Sequence, residues 1–266
     1  MTDDTRGGSP ERFGYSWDRF SELSPEQEKQ FELWSCLINR DEWRGKRFLD
    51  AGCGAGRNTF YPMSYGAASA VAMDLDDRSL RAARANLAAY KTVDVVKGSI
   101  YDIPFENEFD IAFSIGVVHH LEHPEVALRE LTKAVKPGGK VLIWVYGYEN
   151  LEVFVHVLNP FRKALFSWMP LRLVRLLAYI PTAVLWLALK LGFTPIAYLK
   201  LLKNFPFMHL HHIIFDQMLP RISNYWKRDE AFALVQQAGL QDIKIEWVNE
   251  CSWTVMGTKK DTPDQA

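Results

Sequence analysis

Residues 47–147 alternate between short apolar runs and stretches of helical length, and this alternation limits the fold more than any other feature of the chain. The runs at 47–52, 69–75, 93–100, 109–116 and 140–147 are almost continuously apolar. Strands buried on both faces read this way in a parallel sheet, whereas half-exposed strands alternate apolar and polar residues. The segments between them, from 57, from 77 (DRSLRAARANLAAY) and from 125 (EVALRELTKAV), favour helix. Alternation on this scale predicts βαβ units and a parallel sheet. The pattern resumes with a helix at 228–240 and closes with alternating strands at 242–249 and 251–259, joined tightly enough to be an antiparallel hairpin. Before the sheet, Ser24 at the N-cap and Pro25 at the first helical position introduce a helix over 26–39.

The stretch LDAGCGAGRNTF at 49–60 follows the first strand. Gly52, Gly54 and Gly56 let the backbone turn sharply and approach a ligand, because no Cβ stands in the way. In an open parallel sheet, ligands bind beyond the carboxyl ends of the strands. The glycine loop, Asp74 and the residues after the third and fourth strands all lie at such ends.

These residues resemble the class I S-adenosylmethionine (SAM)-dependent methyltransferases, across 45–147 and again across 228–259. The family's D-x-G-x-G-x-G loop is matched by Asp50 through Gly56, and its acidic residue ending the second strand by Asp74. Phe109-Asp110 leading to His119-His120-Leu121, and VKPGG at 135–139, match two further signatures. One position departs: where many relatives have an acidic residue after the third strand, this chain has Ser99, with Asp102 a weaker substitute.

The resemblance implies an α/β, Rossmann-like methyltransferase sheet of parallel strands with a C-terminal antiparallel hairpin, helices on both faces and a helical insertion. It implies SAM as cofactor. Gly52, Gly54 and Gly56 would hold its amino-acid end and Asp74 its ribose hydroxyls, with Asp50, Cys53, Asn58 and Leu75 among the cofactor contacts. Ser99 and Ile100 would meet the adenine, and Ser114 and Gly116 would complete the site. The division expected is an arm or lid at 1–44, a SAM-binding domain at 45–150 and 221–260, and an insertion at 151–220 that sets the acceptor. Tyr15 and Trp17 of the arm, with Tyr146 and His212, are the candidate acceptor contacts.

The insertion differs in composition from the rest. Between 153 and 215 there is no Asp or Glu but seven Lys and Arg, so this segment carries +7 of a chain whose total is −1, leaving −8 elsewhere. Residues 176–189 hold no charge, and Pro170, Pro181 and Pro195 predict several short helices rather than one. Apolar residues flanked by cations and interspersed with aromatics suit a membrane interface, through 171–202. A lid over a small apolar acceptor and a homodimer surface are the alternatives. With a near-neutral total charge and no basic run, no nucleic-acid partner is expected.

Histidines supply the candidate catalytic groups. His120, His211 and Tyr225 are the candidates for orienting or deprotonating the acceptor; His119 reads as packing and His123 as a neighbour of a helix cap. Read as a strand, 208–217 puts His209 and His211 on one face and His212 on the other. With Asp216 the lone carboxylate nearby, no metal is expected. Three scattered cysteines fit a reducing compartment, and the polar first residues lack the apolar core of a signal peptide. The expected location is cytoplasmic, peripheral on the inner face of a membrane. The expected activity is methyl transfer to an amphipathic or lipid-linked small molecule. A soluble metabolite or sugar as acceptor, or SAM binding without catalysis, are the rival readings.

Overall fold

A computed structural model describes residues 10–17, 25–152, 154–166 and 169–261. Seven strands form one sheet: β1 (Arg47–Ala51), β2 (Ser69–Asp74), β3 (Val93–Lys97), β4 (Phe109–Ile115), β5 (Val135–Tyr146), β6 (Leu240–Val248) and β7 (Ser252–Lys259). Their spatial order is β3-β2-β1-β4-β5-β7-β6, with β7 antiparallel to both neighbours and the other pairings parallel. The order reverses direction between β1 and β4, which opens a crevice at their carboxyl ends.

Side-chain alternation explains why these strands need cover on both faces. Phe48, Phe113 and Leu142 point to one side, where they meet Phe31 and Trp34 of a helix at Pro25–Trp34 (α2), together with Trp43 and Tyr61. Leu49, Ala112, Val141 and Ile143 point to the other. There they pack on Leu128 and Leu131 of α5 (Pro124–Ala134) and on Leu234 and Val235 of α10 (Arg228–Gln237). Helix α3 (Arg57–Ser64) follows the glycine loop, and α4 (Asp77–Asn86) follows β2. Asp76 caps α4, its side chain accepting from the amides of Arg78 and Ser79. The predicted helix over 26–39 ends at Trp34, and its proposed cap Ser24 lies outside the described residues.

Between β5 and α10 the chain leaves the sheet and returns at nearly the same place. Gly147 and Trp226 form a parallel bridge; the Tyr148 amide donates to the Trp226 carbonyl at 3.0 Å and the Trp226 amide to the Tyr146 carbonyl at 3.1 Å. The excursion contains α6 (Asn159–Phe166), α7 (Leu171–Lys190), α8 (Ala197–Leu202) and α9 (Phe207–Met218). Two sequence expectations change here. Pro170 and Pro195 do lie outside helices, but Pro181 sits inside the 20-residue α7. The helix runs through it because Val174, Ala178, Thr182 and Leu189 form one buried stripe, and the first two pack with Phe215 and Leu219. The segment 208–217 is part of a helix, not a strand: Phe207, Leu210, His211, Ile214, Phe215 and Met218 recur at helical spacing. His211 and His212 are accordingly both buried, instead of opposing each other across a strand.

An N-terminal helix, α1 (Pro10–Trp17), closes over the junction of the two parts. Arg12 donates to the carbonyls of Leu219 at 2.8 Å and Phe166 at 2.9 Å, tying the helix to the insertion. On its other side Gly14 approaches α4 so closely that an added Cβ would lie 2.0 Å from Asp76 Oδ1.

Candidate active site

β1 delivers the chain into a loop that folds over the end of β2. The amides of Gly52 and Cys53 both donate to the Met73 carbonyl, at 2.8 and 2.9 Å. Gly52 (φ +86°) takes the left-handed conformation, and a Cβ there would lie 2.4 Å from Val117 Cγ2. No other residue type fits without strain. Asp74 then holds the loop: its Oδ2 accepts from the Gly54 amide at 2.9 Å and its Oδ1 from the Asp76 amide at 3.0 Å. Burial pushes the Asp74 carboxyl up from its ordinary value, while these backbone donors pull it back. Each of its oxygens has accepted one bond and retains capacity for another.

Beyond this loop opens a cavity of about 460 Å³. Its sheet end is lined by Gly52, Asn58, Asp74, Leu75, Ser99 and Gly116. The insertion lines it through Phe154, Leu185, Tyr198, Leu199, Leu202 and Ile213. A belt of polar side chains also lines it: His120, Tyr146, His212, Asp216, Gln217 and Tyr225.

The geometry of the belt is specific. His212 Nε2 lies 2.9 Å from Asp216 Oδ2, one helical turn apart on α9. Gln217 Nε2 donates to the Tyr146 hydroxyl at 2.7 Å, leaving that hydroxyl's own proton for another acceptor. Tyr146 and Tyr225 stack with ring centroids 5.5 Å apart; burial raises both, Tyr225 to about 12, so both are neutral hydroxyls near pH 7. His120 Nδ1 lies 2.8 Å from the Ile222 carbonyl. A carbonyl only accepts, so the proton is on Nδ1 and Nε2 is the basic nitrogen. Burial lowers this imidazole to about 4, and the Phe13 ring packs on it at 4.9 Å.

Most of the residues singled out in the sequence meet at this cavity: Gly52, Cys53, Asn58, Asp74, Leu75, Ser99, Ile100 and Gly116 from the loop and strand ends, and His120, Tyr146, His212 and Tyr225 from the belt. Others do not reach it. The fully buried Asp50 accepts from Thr59 Oγ1 at 2.7 Å, so its carboxylate joins β1 to α3 and is unavailable to a ligand. Gly54 and Gly56 shape the loop's turns from behind, and Ser114 donates to the Ala51 carbonyl at 2.8 Å. His211 is turned away, its ring stacked on Tyr179 at 4.0 Å and its Nδ1 3.4 Å from Thr182 Oγ1. Tyr15 packs edge-on against Phe215, and Phe13, two residues earlier, supplies the arm's contact with the cavity. The side chain of Trp17 lies outside the described residues. Asp102 is paired with Ser99 in an isolated bridge and stays off the cavity wall. Sequence reading passed over Phe13, Trp34 and Gln217 and gave Asp216 no role at the acceptor. The i, i+4 spacing of His212 and Asp216 carried a signal once 207–218 is read as a helix.

A methyltransferase-domain family profile matches residues 49–143. A methyltransferase-family protein of Encephalitozoon cuniculi is 30% identical over 150 residues, covering 54% of this chain and 67% of that protein. The chain belongs to the class I SAM-dependent methyltransferases. The ubiquinone biosynthesis O-methyltransferase of Thiobacillus denitrificans is 30% identical over 133 residues, which are 49% of this chain and 55% of that enzyme. A SAM-dependent methyltransferase from Thermotoga maritima has the same fold, with a TM-score of 0.53, 16% identity, and coverage of 93% of this chain and 100% of that one. The profile and the E. cuniculi match cover about a third and a half of the chain.

The sheet end of a methyltransferase cavity has to hold SAM, and the residues here fit it. Asn58 Oδ1 and Trp34 Nε1 are buried polar atoms with no protein partner among the described residues, and both residues line the cavity. Buried polar groups left unpaired cost stability, so a ligand with polar edges is what such a wall accommodates. The bare backbone at Gly52 and the remaining acceptor capacity of Asp74 suit an amino-acid end and a pair of ribose hydroxyls.

Proposed function

We propose that this methyltransferase acts on an amphipathic or lipid-linked small molecule whose apolar body occupies the insertion end of the cavity. One observation carries the reading. One cavity is lined both by Asp74 with the polar belt and by Leu185, Leu199, Leu202 and Ile213 of the insertion. A molecule with a reactive polar head and a greasy remainder matches that mixed lining. Among the relatives are enzymes named for ubiquinone biosynthesis and for tocopherol, whose names agree with an apolar acceptor, and also enzymes named for tRNA U34. The interleaving of cations with aliphatic residues across 153–215, without a basic run, favours the apolar acceptor over a nucleic acid.

SAM supplies a methyl group already activated on a sulfonium. The chain's own residues then have to bind, orient and exclude water. Asp74, Ser99 and the Cβ-free backbone at Gly52 would hold the cofactor. Tyr146, fixed by Gln217, would donate to the acceptor's polar head, and His120 Nε2, with its lowered basicity, would accept from it without retaining the proton. The His212–Asp216 pair is the group suited to take a proton away, because the carboxylate supports a developing imidazolium. Phe13, Trp34 and Trp144 line the cavity with apolar surface that keeps water out.

Incubation with methyl-labelled SAM and a cell lysate, followed by extraction into organic solvent, tests the acceptor. Label in the organic phase is the expected result; label confined to water would make the insertion a lid over a soluble metabolite. With an acceptor in hand, Asp216→Asn should lower kcat roughly 100-fold, within the range of general acid–base catalysis. It should flatten the limb of the pH–rate profile assigned to the base, and an unchanged profile would remove the pair from proton transfer.

A further inference from the structure

We infer that the outer face of α7 docks the protein on an anionic membrane surface. The helix is uncharged from Leu176 to Leu189, and its two sides have different neighbours. Val174, Ala178, Thr182 and Leu189 are buried on the inner side, and Leu185 reaches the cavity wall. On the outer side Leu176, Ile180, Val184 and Leu187, with Leu191 just past the helix, recur at helical spacing and are 54–79% exposed. Soluble proteins scatter exposed apolar residues singly; a continuous stripe needs a partner. Phe161, Phe193 and Met208 are further exposed apolar side chains of the insertion.

The charges around the stripe identify the partner. Arg172, Lys190, Lys200 and Lys203 are exposed, and none is paired with a carboxylate among the described residues. No acidic residue occurs between 153 and 215 to offset them. A second copy of the chain would present the same patch, because a two-fold interface is self-complementary, and would set these cations against their own equivalents. An anionic lipid surface answers both features at once, apolar stripe into the acyl boundary and cations to the headgroups. Tyr179 and Trp186, each half exposed on α7, are the amphipathic aromatics favoured at that boundary. The helix is long and apolar enough to cross a bilayer, yet its inner stripe is committed to the protein. It therefore lies along the surface, with one side toward lipid and the other toward the cavity.

The surface stands on exposure and charge alone, independent of the acceptor, and vesicle binding tests it without any turnover. The intact protein is sedimented with vesicles of phosphatidylcholine alone and of phosphatidylcholine mixed with phosphatidylglycerol. Co-sedimentation with the mixed vesicles is expected, weakening as salt is raised and at least tenfold lower with phosphatidylcholine alone. Ile180→Gln combined with Val184→Gln changes only exposed side chains; it should lower binding at least tenfold while leaving thermal melting and SAM affinity unchanged. Replacing Arg172, Lys190, Lys200 and Lys203 by Gln should abolish the salt dependence. Failure to bind either vesicle, or a dimer in sedimentation velocity that the Ile180/Val184 variant dissociates, would overturn the proposal.

Discussion

The sheet and the insertion contain similar apolar residues and use them differently. In β4, Ile111, Ala112, Phe113 and Ile115 are all buried, alternate side chains going to opposite faces and each face capped by helices. In α7 a run as apolar turns one narrow stripe inward and leaves the rest uncovered. The first arrangement spends hydrophobic area on stability; the second leaves much of it exposed. The insertion's own cores are correspondingly small, one built on Val174, Ala178, Phe215 and Leu219, the other on Leu189, Leu202, Phe205 and Leu210.

If the two regions differ in this way, a cavity cut into the insertion should loosen the insertion alone. Phe215 is fully buried, and Phe215→Ala should cost about 3–5 kcal/mol. Hydrogen exchange should then speed up in α7 and α9 while β1 and β4 keep their protection; uniform loosening would erase the distinction. A smaller effect is expected from Asp74→Ala, which should weaken SAM binding roughly 100-fold by removing acceptor oxygens worth about 1.5–3 kcal/mol in charge-assisted bonds. Titration calorimetry measures it, and circular dichroism should show the fold intact. Unaltered affinity would take Asp74 out of the cofactor site.

A pH-dependent effect concerns Asp50, whose burial raises its carboxyl from 3.8 to about 7. The folded protein holds this proton more tightly than the unfolded chain does. Its contribution to stability is therefore complete below about pH 4 and is lost as pH rises through about 7. Asp50→Asn keeps the shape without the charge, so the variant should be the more stable by roughly 4 kcal/mol near pH 8, the difference fading toward pH 4. Urea melts across that range check it, and parallel curves would mean that Asp50 does not titrate in the folded protein.

Legibility followed the same division. The strands, the glycine loop and Asp74 could be read from the sequence because a buried parallel strand and a backbone that must bend sharply each restrict residue type at fixed spacing. The hairpin was readable for a similar reason: β6 alternates because its two faces have different surroundings. The insertion follows no such rule. Pro181 was read as a helix end, yet tertiary packing along α7 outweighs the hydrogen bond it removes. The alternating histidines at 209 and 211 imitate a strand, whereas the spacing of Phe207, Leu210 and Ile214 marks a helix. Asp50 looked like a ligand because it precedes the glycines, but strand alternation turns its side chain to Thr59. Phe13 was invisible because its place depends on Arg12 finding carbonyls more than 150 residues away.

The bridge between Gly147 and Trp226 has a consequence for how such a protein changes over time. It holds the two ends of the excursion together within the sheet's own hydrogen bonding. The entropic cost of closing a loop grows only slowly with its length. An excursion anchored in this way can lengthen or shorten over generations at little entropic cost to the sheet that carries it.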